Sequence, residues 1–455
     1  MAMKTIIIGG GISGLSLALA LKDKSPAMEI VVLEAEERPG GKIWTDRVQG
    51  FLCEAGVNGF LDNKPSTLQL SSQIKLTPMR SNDAARKRAI CLNGGLKIIP
   101  ESPVAFLTSD FLSLGGRLRM LAEFFIPKAD VEDESMESFA VRRVGKEFFE
   151  KLLDPMASGV YAGDPAKMSI RSCFAKVYEL EREYGGLIRG FMALGKEAKR
   201  TGKKTEAGPG GTLMSYRDGM YSLVEALRGV LGDRIETGKR ARGIDMSGGR
   251  YSVECEDGSR YECDCAVLAC PAHDSARLLQ GIDSEISRLL ADIPYPPVSV
   301  VALGYRKEKL PCDTNLFGFL VPGREKRKIL GTLFDSSVYP NRAPEGHVLL
   351  RTIVGGARAP EIALLGDDRL IDTVRSELSE ILGIKADPEL VWTYRWEKAI
   401  PQYVVGHHRR LEMLDERLSK HPALFLHGNA YRGVAVNDCI AQSFSLSDKI
   451  AALRP

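Results

Sequence analysis

Three glycines supply the first chemistry in this chain. Gly9, Gly11 and Gly14 stand between a β-branched run at residues 4–8 (KTIII) and a small, apolar stretch at helical spacing over 12–22. In such a G-x-G-x-x-G turn the first glycine permits a tight bend and the second lets backbone approach a pyrophosphate. The third packs helix closely on strand. Ile12 and Ser13 fall in the first helical turn, where unpaired N–H groups and the positive dipole end attract phosphate. Glu34 follows a second apolar run, EIVVL at 29–33, and stands 20 residues after Gly14, where a carboxylate can accept from ribose hydroxyls. Strand, helix and acid in this register predict a right-handed βαβ unit that binds a dinucleotide.

Four positions past the acid comes Arg38-Pro-Gly40-Gly41, with Lys42 next in line. The run Glu34-x-x-x-Arg38-x-Gly40-Gly41 resembles the extended FAD signature of the amine oxidase and desaturase flavoproteins. In that group the arginine and the paired glycines line the phosphate and ribityl region. An NAD-only protein has no use for this extension, so FAD is the expected cofactor. The far end of the chain reads the same way. Gly428 and Gly433 allow backbone close to a planar ring, Asn429, Val434, Val436 and Asn437 lie beside them, and a helix is expected from Asp438. Its positive end would stabilise the anion of a reduced flavin. A side-chain cap from Asn437 or Asp438 is the plainer reading of the same residues.

The elements that position these groups call for several domains. At 455 residues the chain is long enough for two or three. A net charge of +3 is close to neutral and argues against a nucleic-acid partner. Nine scattered cysteines without a CxxC pair suit a reducing, cytoplasmic setting. No basic-then-apolar leader precedes residues 4–8, so secretion is not expected. Nowhere do about 18 apolar residues run unbroken. The nearest approach, 111–127, is interrupted by Arg117, Arg119 and Glu123 and would suit a peripheral membrane contact.

From about 88 to 205 the texture is helical and charged, as at 117–125, 135–153 and 171–189. The polar stretch 196–211 reads as a mobile loop. A hairpin is expected around Glu256-Asp-Gly-Ser259, between 251–255 and 260–265. Strands of a mostly antiparallel sheet are expected at 298–305, 316–321, 328–334 and 347–354.

A more specific resemblance rests on longer blocks. They are Glu54-Ala-Gly56-Val-Asn58-Gly-Phe60, Asp154-Pro-Met-Ala-Ser158-Gly159-Val-Tyr-Ala-Gly-Asp-Pro165 with Leu180-Glu-Arg-Glu183 to Gly190, and Ser215-Tyr-Arg-Asp-Gly219-Met220. Ala399-Ile-Pro401-Gln402-Tyr403 and Gly433-Val-Ala-Val-Asn437-Asp438-Cys439 complete the set. In this order and over nearly the whole chain they resemble the protoporphyrinogen/coproporphyrinogen oxidase family of haem biosynthesis. The resemblance implies an α/β fold (α+β overall). A Rossmann-like FAD-binding domain would comprise 1–85, 210–285 and 416–455, a helical membrane-associated domain 88–208, and a mixed-sheet substrate domain 290–415. It also implies a peripheral position on the inner face of the cell membrane and leaves room for contact with other haem-pathway enzymes.

Residue roles follow by position in those blocks. Gly56 joins the cofactor set. Arg88 matches an arginine that pairs with a substrate propionate, a contact that suits a guanidinium fork. Asn58 faces the active site, and Ser158 and Gly159 present backbone to the porphyrinogen. Leu320 and Phe334 match apolar residues that sandwich the macrocycle, although both would also serve an ordinary core.

The implied reaction oxidises a porphyrinogen, preferentially protoporphyrinogen IX and alternatively coproporphyrinogen III. Flavin N5 would accept hydride and dioxygen would reoxidise the flavin to give hydrogen peroxide. No catalytic side chain and no metal are expected, because positioning the ring and excluding water suffice. The pair His407-His408 is read as exposed, His273 as structural, and Cys263 and Cys265 as one face of a strand. An amine oxidase would want an aromatic pair facing the flavin, where only Tyr431 offers one. A carotenoid desaturase would favour a more apolar tunnel and explains neither Arg88 nor the 154–190 block. A flavoprotein that serves only as a binding or assembly partner in the haem pathway would hold FAD tightly without porphyrinogen turnover.

Overall fold

The β-branched runs pair side by side. In the computed structural model, which describes residues 3–100, 103–201 and 211–453, Lys4–Ile8 lies between Glu29–Leu33 and Cys265–Leu268. Ile235–Glu236 and Leu424–Leu426 form the edges, and every pairing is parallel. Such runs are apolar on both faces because both are covered. Ile7 and Val267 meet residues of the helices Ile12–Lys24, Tyr221–Leu231 and Val436–Ala451. Ile6 and Leu268 meet a three-stranded antiparallel sheet and the helices Ala272–Leu279 and Ser284–Ala291.

The hairpin reading needs one correction. Arg260–Cys263 pairs with Arg250–Cys255, but Cys265–Leu268 belongs to the parallel sheet. The chain changes sheets at Asp264, whose carboxylate accepts from the Lys4 amide at 2.8 Å and from Arg250 Nε at 2.9 Å. Cys263 and Cys265 therefore do not share one strand face. Both thiols are buried, and burial pushes each up to about 12.

A second, seven-stranded sheet runs in the order Leu390–Trp396, Val298–Arg306, His347–Gly355, Ile329–Phe334, Gly318–Leu320, Arg88–Leu92, Gly95–Ile98. It is antiparallel except where Gly318–Leu320 meets Arg88–Leu92. The stretch expected to turn helical at about 88 thus opens with two strands, and helices begin at Pro103–Thr108. These two strands pair with each other across Asn93-Gly94, both at positive φ, so the local hairpin signal was Asn-Gly itself, whereas the pairing with Gly318–Leu320 joins distant segments.

Helices fill most of the described residues from 103 to 201. The expected loop at 196–211 is corrected in part. Residues 196–201, with good helix formers in Lys-Glu-Ala-Lys-Arg, finish the helix Leu187–Thr201, and 202–210 lie outside the described residues. No helix among the described residues is long and apolar enough to cross a membrane.

Candidate functional site

The glycine turn is built as its spacing requires. A Cβ on Gly14 would lie 2.0 Å from the Gly9 carbonyl oxygen, and Gly9, at φ +114°, would meet Cys270 N at 2.8 Å. Gly11 N-caps the helix Ile12–Lys24 without any side-chain cap, so the amides of the first turn stay open to an anion. Glu34 is buried and accepts from Gly10 N at 2.8 Å and Glu36 N at 2.9 Å, while burial raises its carboxyl above the ordinary range.

Gly40 and Gly41 form a strap across this turn. Gly40 N donates to Gly10 O at 2.8 Å, and a Cβ on Gly41 would lie 3.3 Å from Gly11 Cα. Arg38 carries the clearest mark of an anion-binding position. Its guanidinium carbon sits 3.1 Å from the Trp44 ring centroid and 4.6 Å from that of Tyr221. Its Nε and Nη2 are buried without a hydrogen-bond partner. A cation held between rings with idle donors fits a dinucleotide phosphate. The sequence offers no signal for Tyr221 as half of this sandwich.

Lys42 is committed elsewhere. Its Nζ donates to Lys398 O at 2.6 Å and to Ala399 O, near the Tyr295 ring, and burial lowers it to about 8. Gly56 packs against this strap, since its Cβ would lie 3.3 Å from Lys42 O.

The C-terminal segment closes the same region. His427 Nε2 meets Ser443 Oγ at 2.7 Å, and Ser443 Oγ reaches Ser13 O at 3.2 Å. A Cβ on Gly428 would come within 3.9 Å of Ser13 Oγ. Tyr403 donates its hydroxyl to Asn429 O at 2.7 Å and accepts from Gly433 N at 2.8 Å. Val434 packs on the cluster of Met136, Phe139 and Tyr161, and Val436 enters the core beneath the parallel sheet.

The last helix starts at Val436 after Ala435, with no side-chain cap. The expected cap by Asn437 or Asp438 is therefore corrected. Asn437 instead donates to Leu61 O at 2.8 Å and accepts from Thr67 Oγ1, and Asp438 pairs with Lys64. Both side chains lie already inside the first turn, too late in the chain to cap it.

The second sheet presents one face to this cradle. Register places Leu320 beside Gly331, Gly318 beside Leu333, Gly331 beside Ile353 and Leu333 beside Arg351. Side chains alternate along strands, so Leu320, Leu333, Arg351 and Ile353 share a face. A Cβ on Gly159 would lie 2.7 Å from Leu320 Cδ2, which sets the helix Asp154–Tyr161 on that face, with Ser158 buried.

Arg88 stands beside Gly318 at the exposed end of its strand, 5.2 Å over the Phe317 ring. Asn58 follows Gly56, and its Nδ2 is buried without a partner. Phe334 is not brought here. It is fully buried on the opposite face, packed with Leu370, Val374 and Leu378. Leu333 and Ile353, both half-buried, take the place expected for it. Strand alternation was the available signal, but which parity faces inward depends on pairing.

The histidines also differ from expectation. His407 is buried, not exposed, because it stacks on Tyr403 at 4.2 Å and 10°, and burial pushes it down to about 4. His408 pairs with Glu132 and Asp133. His273 stands edge-on to Tyr295 at 5.0 Å. Among the described residues no three His, Cys, Asp or Glu side chains converge as metal ligands would.

Over nearly its whole length the chain is similar to known proteins. The family described as flavin containing amine oxidoreductase matches residues 12–450. Protoporphyrinogen oxidase 1, chloroplastic, of Arabidopsis thaliana is 34% identical, over 98% of this chain and 87% of its own. Coproporphyrinogen III oxidase of Bacillus subtilis (strain 168) is 31% identical over 98% of both. A solved structure from Exiguobacterium sp. 255-15 is 26% identical and superposes with a TM-score of 0.85, covering 99% of each chain.

Proposed function

Because the chain belongs to the flavin containing amine oxidoreductase family, we propose that it is an FAD- and oxygen-dependent porphyrinogen oxidase of haem biosynthesis, with protoporphyrinogen IX as substrate. The observation that carries the reading is the apolar strip of Leu320, Leu333 and Ile353 beside the cradle, with Arg88 at its rim. Bound FAD supplies the two-electron acceptor, so that a substrate carbon loses hydride, a pyrrole nitrogen loses a proton, and dioxygen becomes hydrogen peroxide.

The chain's residues position and enclose. Gly9, Gly11, Gly14, Gly40 and Gly41 let backbone approach the cofactor, Arg38 meets its phosphates and Glu34 its ribose. The open first turns at Ile12–Ser13 and Val436–Asn437 direct amides toward it, and Gly428, Asn429 and Gly433 keep the closing segment thin. Gly56, Asn58, Ser158 and Gly159 border the apolar strip, which holds the macrocycle and keeps water out. Arg88 anchors a propionate.

Charge favours protoporphyrinogen over coproporphyrinogen. Arg351 on the same face is bound to Asp335 at 2.7 Å, whereas Arg88 has no carboxylate partner among the described residues. A rim where Arg88 is free and Arg351 is already neutralised, among the described residues, suits the substrate with fewer propionates. The identity to the Bacillus subtilis coproporphyrinogen III oxidase keeps the alternative in the test. Each chemically reduced porphyrinogen is supplied separately to the purified holoenzyme under air, and porphyrin fluorescence is followed. Faster protoporphyrin formation is expected. Faster coproporphyrin formation would reassign the substrate, and acceleration of neither would end the porphyrinogen reading.

We also propose that the helical part touches a membrane. Leu114, Leu118, Leu121 and Phe125, exposed by 75, 68, 47 and 80%, follow one side of Leu114–Leu121 and Ala122–Phe125. Exposed Phe124 lies in the same short turn, and exposed Phe191 lies on the helix Leu187–Thr201 that packs against it. An apolar strip this continuous marks an interaction surface. The protein is expected to sediment with anionic lipid vesicles. The double variant Leu118→Glu/Phe125→Glu should bind about 10²-fold more weakly, from the area two such side chains bury. Equal sedimentation of both proteins would rule the contact out.

A further inference from the structure

Between the cofactor cradle and the seven-stranded sheet runs a buried strand, Phe51–Glu54, continuing through Asn58. Three carbonyls along it accept from side chains of the sheet. Tyr394 Oη donates to Cys53 O at 3.1 Å, Trp396 Nε1 to Ala55 O at 2.9 Å, and Arg351 Nη1 to Gly56 O at 2.9 Å.

Arg351 differs from the other two. It lies in a central strand, opposite Leu333 of the apolar strip, and only 1% of its side chain is exposed. Its Nε donates to Asp335 Oδ2 at 2.7 Å, and that carboxylate is equally buried. A buried ion pair adds little net stability, because desolvating both charges offsets most of the attraction. The consequence of this pair is geometric. A guanidinium fork held by one carboxylate has its remaining donors fixed in direction, and here one of them holds Gly56 O. Gly56 in turn abuts the strap at Lys42. One side chain thereby ties the substrate strip to the cofactor strap.

We propose that Arg351, oriented by Asp335, is a positioning residue: it fixes the Gly56–Asn58 turn and so the spacing between substrate and flavin. The kinetic consequence rests on the porphyrinogen-oxidase reading, whereas the spectroscopic one does not. The arrangement also explains why two charges stay buried beside an apolar strip where a neutral pair would fold as well.

The test compares holoenzymes of the wild type, Arg351→Lys, and the double variant Asp335→Asn/Arg351→Met, which leaves no unpaired buried charge. Two quantities are read: the visible circular dichroism of the bound flavin, and the anaerobic rate of flavin reduction by protoporphyrinogen against the rate of reoxidation by dioxygen. Both variants should keep FAD, show an altered dichroism band, and be reduced about 10²-fold more slowly, the cost of a displacement near 1 Å, with reoxidation unchanged. Wild-type dichroism and reduction in the double variant would overturn the proposal. So would a parallel fall of both half-reactions with loss of FAD, which marks a purely structural pair. If the wild type itself is not reduced, the functional reading fails, and the dichroism comparison alone decides the role of Arg351.

Discussion

Replacing Arg38 with methionine is expected to weaken FAD binding by about 2–5 kcal/mol, roughly 30- to 4,000-fold in Kd, while leaving the apoprotein near wild-type stability. The guanidinium lies between Trp44 and Tyr221, and no protein group takes its buried Nε and Nη2, so these donors suit a phosphate. Methionine keeps the apolar stem and exchanges the cation–π contacts for sulfur–aromatic contact with the same rings, so the fold is kept. The dinucleotide loses a charge-assisted, desolvated partner. Equilibrium dialysis gives the first quantity, and thermal melting of FAD-stripped protein gives the second. Wild-type affinity in Arg38→Met, or a lower apoprotein Tm, would show that the guanidinium has another partner.

Glu123→Ala is expected to destabilise the helical part by about 3–5 kcal/mol, the usual result of leaving a buried charge alone. Glu123 and Arg143 are both fully buried and meet at 2.6 Å. Glu123 also accepts from Leu187 N at 2.7 Å and Ile188 N at 3.0 Å, and so holds the start of the helix Leu187–Thr201. Glu181 lies 3.6 Å from Arg143 but is already engaged by Arg142, so it offers little relief. A chain of this size need not unfold in one step, so the effect is best read locally. Hydrogen exchange across 136–144 and 187–201 should accelerate about 10²- to 10³-fold. FAD content, set in a different part of the molecule, should stay near the wild-type value. Glu123→Leu/Arg143→Leu should recover much of the loss, because it removes both charges together. Unchanged exchange in Glu123→Ala would mean that Arg143 finds full compensation from the carbonyls of Ile126, Pro127 and Gly185.

The cofactor cradle was the most legible part of this protein because its grammar is local. The tight bend at Gly9, the absent side chain at Gly14 and the acid at Glu34 are backbone requirements that neighbouring residues impose on one another. They can be read within some tens of positions. Family resemblance extended that reading to Arg88, Ser158, Gly159 and Leu320, which the structure gathers on and around one sheet face.

Phe334 shows where such reading ends. It stands in an apolar strand next to Leu333, and one-residue alternation decides which of the two faces the cradle. That parity is set by pairing with His347–Gly355 and Gly318–Leu320, not by either residue's own preference. The helical reading of the segment from residue 88 failed for a different cause, since Asn93-Gly94 folds Arg88–Leu92 onto Gly95–Ile98 as a local hairpin. His407 looked like half of an exposed pair until Tyr403 covered it.

By itself the sequence determined the βαβ unit and the glycine turn with its buried acid, because those depend on steric rules between near neighbours, and the resemblance carried by Arg38, Gly40 and Gly41 pointed to FAD. Only the tertiary structure decided that Arg38 sits between Trp44 and Tyr221, that Leu333 and Ile353 rather than Phe334 line the strip, and that Arg351 reaches Gly56. Each of those outcomes depends on strand register and on close packing between segments far apart in the chain, which no local preference encodes.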